Sequence, residues 1–294
     1  MASAQELLAA GDPQGALAQL QHQVRGKAAD PKLRVFLFQL LSVLGQWQRA
    51  LDQLRVCGEL DPSTLAMVNT YRPALQCEAV RESVMAGHTL PHVFGPPKAW
   101  VALLAQALQA DAAGEAAQAA KLRESAFEQA ETTTGTINGE AFEWIADADS
   151  RLGPVLEIII NGRYGWVPFS HLQKLVIEAP ADLRDLVWAP AQITFANGGE
   201  TVALLPARYA GTVAQADGGL LMSRKTEWLA LAEGQYRGVG QRVLATSGAE
   251  LGLLELREIT LDTETPAEQA PAEGEATGGD TPDGDAPAAG TPGA

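Results

Sequence analysis

Apolar and polar positions alternate most clearly in the middle of the chain, where they predict β-strands. The β-branched run Val155–Ile160 reaches Asn161-Gly162, and a second apolar run follows at residues 163–167. An Asn-Gly pair between two apolar runs indicates a hairpin, because both central residues of a type I′ turn need positive φ. Pro168 has no amide to donate to a β-ladder, so the return strand is expected to stop there or to lie at an edge.

Three further strands are predicted beyond this hairpin, at residues 172–177, 191–195 and 201–205. The last two flank Asn197-Gly198-Gly199, which indicates a second hairpin with a slightly longer loop. A final strand pair is predicted at residues 241–246 and 251–259, whereas residues 139–151 show the spacing of a short helix. Five short strands with two hairpins predict an antiparallel sheet or a partly open barrel.

The first 131 residues carry helical periodicity and an internal repeat. Small and apolar residues recur 34 positions apart, the tetratricopeptide period: Gly11, Ala16, Leu17 and Leu20 return as Gly45, Ala50, Leu51 and Leu54. In the better copy, residues 31–62, the pattern predicts two helices with Leu37, Phe38 and Leu41 inward and Ala50 at their close crossing. A further pair is predicted at residues 98–108 and 115–130. Six or seven helices in a short solenoid are expected.

The sequence therefore predicts an α+β protein with two domains. Residues 1–131 form a tetratricopeptide-like helical solenoid, and residues 132–262 form a small antiparallel β-rich domain. Apart from Gln269, residues 263–294 consist of Pro, Gly, Ala, Thr and acidic side chains, with no aromatic residue. Ordering a chain costs roughly 1 to 2 kcal/mol per residue, which this composition cannot offset by burial, so an acidic disordered tail is expected.

Charge and cysteine usage exclude several classes of function. The net charge is −15, and seven acidic side chains without any Lys or Arg lie in the tail: Glu264, Glu268, Glu273, Glu275, Asp280, Asp283 and Asp285. Without these seven residues the net charge is still −8, whereas a nucleic-acid-binding protein presents a positively charged surface. Cys57 and Cys77 lie in helical sequence without a CxxC motif and are expected to be buried free thiols. No signal peptide or apolar spanning run is present, which predicts a cytoplasmic protein without membrane insertion.

Candidate catalytic groups are few. Glu140, Glu143 and Asp147 fall on one face of the helix predicted at 139–151 and offer paired carboxylates, and His171 follows a serine. No phosphate-binding glycine motif occurs. His88 and His92 are four residues apart, but Pro91 lies between them and no Asp, Glu or Cys follows at a suitable spacing, so no cofactor or metal is expected. The aromatic residues of the predicted sheet fit interface anchors, but at least two are expected to be core: Tyr164, Trp166, Trp188 and Trp228.

Five motifs of the second half resemble a known family. They are NGRYGWVPF, EAPADLRDLVWAPA, NGGE, LLPARY and SRKTEWL, and they resemble the ImpE/SciE family, also called TagJ, of type VI secretion accessory proteins. The resemblance covers roughly residues 1–262 and is specific over 140–245. It implies a non-catalytic adaptor that binds the small subunit of the contractile sheath, the AAA+ ATPase that disassembles contracted sheath, or both.

Two candidate binding surfaces follow. The first helix of a tetratricopeptide unit lines the concave groove, which places Lys32, Val35 and Gln39 on the groove side. A competing surface is expected around four residues in the family-like motifs LLPARY and SRKTEW: Arg208, Tyr209, Arg224 and Lys225. The alternative function is a hydrolase-like small-molecule enzyme with a site in the second domain, built on the Glu140, Glu143 and Asp147 face or on His171.

We expect that a truncated chain ending at Asp262 keeps the thermal transition and the far-UV spectrum of the folded part. The reason is that residues 263–294 have no side chains with which to join a hydrophobic core. Circular dichroism of the shortened and full chains measures this. Loss of cooperative unfolding in the shortened chain would contradict the prediction.

Overall fold

A computed structural model describes residues 2–263 of the chain, so the prediction for the acidic tail lies outside the described residues. Within them, the first half contains seven α-helices: α1 Ala4–Ala9, α2 Pro13–Gly26, α3 Pro31–Val43, α4 Trp47–Leu60, α5 Leu65–Met85, α6 Ala99–Ala112 and α7 Ala116–Gln129. This agrees with the six or seven predicted helices. No helix among residues 2–263 combines the length and the apolar character needed to cross a membrane.

Side-chain caps explain where the first helices begin. The Ser3 hydroxyl accepts from the amide of Glu6 at 3.2 Å, and the Glu6 carboxylate accepts from the amide of Ser3 at 2.7 Å, which forms a capping box at α1. Asp12 and Asp30 cap α2 and α3, each followed by proline at the first helical position. Proline suits that position because its missing amide would have had no helical acceptor.

Consecutive helices pack as hairpins, α3 against α4 and α6 against α7. As predicted, Leu37, Phe38 and Leu41 of α3 are buried, and Ala50 of α4 has no exposed surface. A residue without a long side chain at this position allows the two helix backbones to approach closely.

The second half contains thirteen strands within residues 132–263: β1 Gly135–Ile137, β2 Glu140–Phe142, β3 Ile145–Asp147, β4 Val155–Ile160, β5 Arg163–Pro168, β6 Leu172–Ile177, β7 Trp188–Phe195, β8 Glu200–Pro206, β9 Thr226–Ala232, β10 Gln235–Gly240, β11 Val243–Thr246, β12 Glu250–Gly252 and β13 Glu258–Leu261. A four-residue helix, α8 (Gly218–Leu221), precedes β9. Eight strands form one sheet in the order β2-β1-β13-β6-β7-β8-β4-β5, whose strand pairs are antiparallel. Smaller sheets contain β9 with β10, and β3 and β12 on either side of β11. The α+β class is confirmed.

Both predicted hairpins are confirmed. Asn161 and Gly162 have φ of 50° and 72°, and Ile160 pairs with Arg163 across the turn. The second hairpin joins β7 to β8 through a loop in which the amide of Phe195 donates to the carbonyl of Gly199 at 2.8 Å. The observed sheet is larger than the five predicted strands.

The helix predicted at residues 139–151 is wrong. Asn138 and Gly139 have φ of 50° and 90° and form the turn of the β1–β2 hairpin, and Ile145 to Asp147 form β3. The spacing of Phe142 and Ile145 mimics a helical face, but the two residues lie on successive strands and both enter the core. The predicted final strand pair is also split: β11 pairs with β12, whereas β13 joins the large sheet between β1 and β6.

The large sheet is buried on both faces. One core cluster combines helix residues such as Phe38 and Tyr71 with the strand residues Ile159 and Trp188. The other cluster lies on the opposite face and contains Ile158, among others. Since successive side chains of β4 enter opposite clusters, this strand is buried along its whole length.

The expectations for buried aromatic and thiol side chains are confirmed. Three of the four aromatic residues that were core or interface candidates are in the interior, Tyr164, Trp166 and Trp188, whereas Trp228 is 37% exposed. Cys57 and Cys77 are both free and buried, and burial raises the pKa of each thiol to about 11.

The substitution Ala50→Leu should lower the free energy of unfolding by about 1 to 3 kcal/mol, because three added carbons have no room at the α3–α4 contact. Urea unfolding measures the change. Gln48→Leu is the matched control, since it adds a leucine to the exposed face of the same helix and should stay within about 0.5 kcal/mol of wild type. Equal stabilities of Ala50→Leu and wild type would contradict the close crossing.

Candidate partner-binding site

An open pocket of about 360 Å³ lies along the first turns of α3, and we call it the α3 groove. It is lined by Pro31, Lys32, Val35, Phe36 and Gln39 of α3, by Gln5 of α1, and by Asp61 and Thr64 at the turn into α5. The three residues predicted for the groove side therefore line one concavity. Their spacing of three and four residues places them on the same helix face.

The start of α3 fixes the position of these side chains. The Asp30 carboxylate accepts from the amides of Lys32 and Leu33 at 3.0 and 3.2 Å, which orders the first turn. Lys32 is exposed and Val35 is partly buried. Gln39 is only 8% exposed and lines the groove from its inner wall.

The groove combines an apolar strip with one charge of each sign. Val35 and Phe36 supply the apolar surface, Lys32 the positive charge and Asp61 the negative charge. Hydrogen bonds from Ser63 hold the pKa of Asp61 below its ordinary value, so this carboxylate is ionised at neutral pH. Such a surface suits an amphipathic helix, which presents apolar side chains at intervals of three and four residues and charges beside them.

Two residues of the competing surface are in the interior, so that prediction is wrong for Arg208 and Tyr209. Arg208 donates to the carbonyls of Ser42 at 2.9 Å and Val43 at 2.6 Å, at the end of α3. A buried arginine is stable here because the last helical carbonyls lack donors and carry partial negative charge. Burial lowers the pKa of Arg208 to about 10.

The other two residues of that surface are exposed, yet both have local partners. Arg224 donates to the carbonyls of Leu8 at 2.9 Å and Ala9 at 3.1 Å, and so caps α1. Lys225 pairs with Asp217 at 3.0 Å and Glu227 at 2.7 Å. Arg208, Tyr209, Arg224 and Lys225 therefore do not form one exposed surface.

A buried cluster of charges connects the helices to the sheet. Its centre is Glu157, in the middle of β4, which accepts from Arg81 Nε and Nη2 at 2.9 Å each and also from Arg242 and the Tyr164 hydroxyl. We call Glu78, Arg81, Asp147, Glu157 and Arg242 the Glu157 cluster. All five residues are buried, and Arg81 lies on α5 whereas Glu157 lies in the sheet.

The other members of the Glu157 cluster also have hydrogen-bond or ion-pair partners. Arg242 also pairs with Asp147, which accepts from the Tyr209 hydroxyl at 3.0 Å. Glu78 accepts from the Trp188 indole at 2.8 Å. Burial alone would raise the pKa of Glu157, but Arg81 and Arg242 hold it well below its ordinary value. For Asp147 burial outweighs Arg242, and its pKa rises to about 6.

The residues proposed for the alternative enzymatic function do not lie together in one site. Glu140 lies in β2 and Glu143 follows it, both exposed, while Asp147 is buried in the Glu157 cluster. The predicted common helix face is therefore wrong. His171 contacts the carbonyl of Phe94 through Nδ1 at 3.2 Å, and burial lowers its pKa. A pocket of about 260 Å³ includes Asp147 but none of the other three residues.

Within residues 2–263 no group of three or more His, Cys, Asp or Glu side chains has the arrangement to hold a metal ion.

Comparison with known proteins identifies the family. Residues 139–260 match the family model described as ImpE protein. The type VI secretion system accessory component TagJ of Pseudomonas aeruginosa is 53% identical over 259 residues, which cover 88% of this chain and 91% of that protein. The chain belongs to the ImpE/TagJ family.

A solved structure shares the fold of this ImpE-family chain. The X-ray crystal structure of protein VPA1032 from Vibrio parahaemolyticus superposes with a TM-score of 0.82 at 23% identity, covering 90% of this chain and 99% of that one. The ImpE family model spans Asp147, Glu157 and Arg242 but begins after the α3 groove. The sequence resemblance to the family is confirmed.

The sequence interpretation missed the Glu157 cluster, although one signal was available. Glu157 interrupts the otherwise apolar run VLEIII, and a carboxylate in a strand buried on both faces requires a buried cation. Its partners Arg81 and Arg242 lie 76 and 85 residues away, so the sequence gives no local indication of which cations it meets.

Replacing Glu157 by Gln should reduce the free energy of unfolding by roughly 3 to 5 kcal/mol, because Arg81 and Arg242 would keep buried charges without their shared partner. Glu143→Gln makes the same chemical change at an exposed site and should be near neutral. Urea unfolding of both variants at pH 7 measures the difference, and similar midpoints would contradict the role of the cluster.

The pH dependence gives a second readout for Glu157→Gln. The pKa of Glu157 is lower in the folded chain than in the unfolded one, so its stabilisation is present above the unfolded pKa of about 4.3 and is lost as the pH falls. Wild type should therefore lose more stability than Glu157→Gln between neutral and acidic pH. Parallel losses in the two proteins would contradict this assignment.

Proposed function

We propose that the chain is a non-catalytic accessory component of a bacterial type VI secretion system. The observation that supports this most strongly is the 53% identity to TagJ of Pseudomonas aeruginosa over 259 residues. An identity of that level along most of both chains is expected for proteins with the same role. The placement of Glu140, Glu143, Asp147 and His171 gives the hydrolase-like alternative no common site.

We further propose that the helices form a tetratricopeptide-like solenoid over residues 1–131, that residues 132–262 form a second domain, and that the protein acts in the cytoplasm. The 34-residue repeat, the helical hairpins and the buried Ala50 support the solenoid. In such arrays the groove side of each first helix is the usual binding surface. This points to the α3 groove as the main partner-binding site.

The proposed partners are the small subunit of the contractile sheath and the AAA+ ATPase that disassembles the sheath. The family resemblance suggests both, and the α3 groove suits a helical segment of either one. Val35 and Phe36 would contact the apolar face of that helix, while Lys32 and Asp61 would pair with its charges. Contacts of this extent correspond to a dissociation constant in the roughly micromolar range.

The double substitution Lys32→Glu with Gln39→Ala should weaken binding to the sheath subunit or the ATPase by about tenfold or more, because it reverses the groove's cation and removes a side chain from its wall. Isothermal titration calorimetry with each purified partner measures the affinity. Lys121→Glu with Gln118→Ala makes the same two changes on the exposed face of α7 and should bind as wild type does.

Melting curves establish that the variants are folded, and Lys32→Glu alone replaces the double variant if the loss of Gln39 lowers stability. An unchanged affinity in the groove variant would move the site away from the α3 groove. In that case Arg224 and Lys225, the exposed pair of the competing surface, are the next residues to test. No heat with either secretion protein for wild type would contradict the adaptor function itself.

A further inference from the structure

The large sheet contains a split between β4 and β8. Strand β8 pairs with β7 along its full length, from Glu200 to Pro206. With β4 it shares a single bridge, between Leu204 and Ile159, and β4 ends one residue later at Ile160. The first half of β8 therefore has no pairing strand on its β4 side among the described residues.

The backbone of β8 directs hydrogen-bonding groups into this split, and among them the Val202 amide has no partner strand on that side in the described residues. The carbonyl of Pro190 accepts from the amide of Glu178 at 3.0 Å, so the backbone groups of Pro190 point to β6 and away from β8. Because an antiparallel ladder alternates, Leu204 opposite Pro190 and Val202 two residues away direct their own groups away from β7. The amide and carbonyl of Val202 thus face the split, where the carbonyl also accepts from the Thr201 hydroxyl at 3.3 Å, and Val202 is 72% exposed.

A cleft of about 560 Å³ lies at this position, between α5 and the sheet. The β4–β5 turn borders it at Asn161-Gly162 and packs on Pro73 of α5, since a Cβ at Gly162 would stand 2.6 Å from the Pro73 Cβ. Pro73 has no amide to donate to the carbonyl of Asn69, one helical turn earlier. Asn69 itself lines the cleft.

The side chains around the cleft select a particular kind of ligand. Val202 and Pro190 provide apolar surface, and Asn69 and Gln192 provide amides that can bond to a peptide backbone. Glu178 supplies an exposed negative charge, and Lys and Arg are absent from the lining. The cleft therefore favours an apolar chain that carries positive charge.

We infer that this cleft binds an extended, basic segment of a partner polypeptide, which adds to β8 beside Val202. Adding a strand to a free sheet edge is a common mode of peptide recognition, in which main-chain hydrogen bonds give affinity and flanking pockets give sequence preference. The ligand pairs its backbone with Val202, places an aliphatic side chain against Val202 and Pro190, and directs Lys or Arg towards Glu178.

Two other occupants fit less well. The chain's own residues 264–294 carry seven acidic and no basic side chains, which Glu178 would repel. A second folded copy would have to fit its own sheet edge between α5 and the β4–β5 turn, which flank the cleft. A single extended segment meets neither obstacle. The site is distinct from the α3 groove, whose lining shares no residue with it.

A heptapeptide library displayed on phage tests the inference with the full-length protein. Selection on wild type, after depletion on Val202→Pro, should enrich peptides with alternating β-branched residues and at least one Lys or Arg. Proline removes the outward amide of Val202 but none of the bonds to β7. The enriched peptides are then synthesised with a fluorophore, and their affinities are measured by anisotropy.

Val202→Pro should weaken these peptides by about tenfold or more, whereas Val202→Thr, which keeps the amide and the branched shape, should stay within about twofold. Glu178→Lys should weaken basic peptides and favour acidic ones. Circular dichroism checks folding, and Val202→Lys replaces the proline variant if that variant unfolds, because an edge lysine also prevents strand addition.

Three results would overturn the inference: no enrichment from the library, enriched peptides that bind Val202→Pro as tightly as wild type, or a wild-type dimer in sedimentation that Val202→Pro dissociates. The last result would assign the edge to a second copy of the chain. Binding of the secretion proteins to the α3 groove variant is measured separately, so failure here leaves the proposed function unaffected.

Discussion

The carboxylate of Glu157 is the group on which the arrangement of helices and sheet depends. It lies in a strand buried on both faces and is held by Arg81 from α5 and by Arg242 from the segment before β11. An isolated buried charge costs several kcal/mol, so β4 can occupy the centre of the fold only when both arginines reach it. Buried ion pairs of this kind add little net stability over apolar residues, but removing one partner is severely destabilising. The cluster therefore defines how α5 sits on the sheet.

Arginines of the second half also hold two helix ends, where they donate hydrogen bonds to backbone carbonyls that have no donor within the helix. Arg208 caps α3 and Arg224 caps α1, each through two backbone carbonyls. Both helices contribute residues to the α3 groove. The groove is thus formed by helices whose ends are held from the β-rich half, and the two halves pack directly against each other. This explains why one hydrophobic cluster includes residues of both halves.

Local signals in the sequence were sufficient for much of this fold and insufficient for its polar interior. Asn161-Gly162 correctly predicted a hairpin. The same dipeptide at Asn138-Gly139 did not, because the helical spacing of Phe142 and Ile145 favoured a helix. In the structure Asn138 and Gly139 both have positive φ and form a turn. Lys32, Val35 and Gln39 were predicted together because one helix face places them together. Arg208 was misplaced because its acceptors are 165 and 166 residues away, and polar side chains are usually exposed.

Helix α5 connects the three sites through a single element of 21 residues, about 31 Å at 1.5 Å per residue. The turn before it lines the α3 groove at Thr64, its first half lines the cleft at Asn69 and Pro73, and its second half carries Arg81 of the Glu157 cluster. The cluster fixes the second half, whereas Pro73 removes one helical hydrogen bond from the first. The first half of α5, which lies next to the α3 groove and the cleft, is therefore the part of the helix that can shift most easily. Ligands in the groove and the cleft would influence each other only if they prefer different positions of that first half.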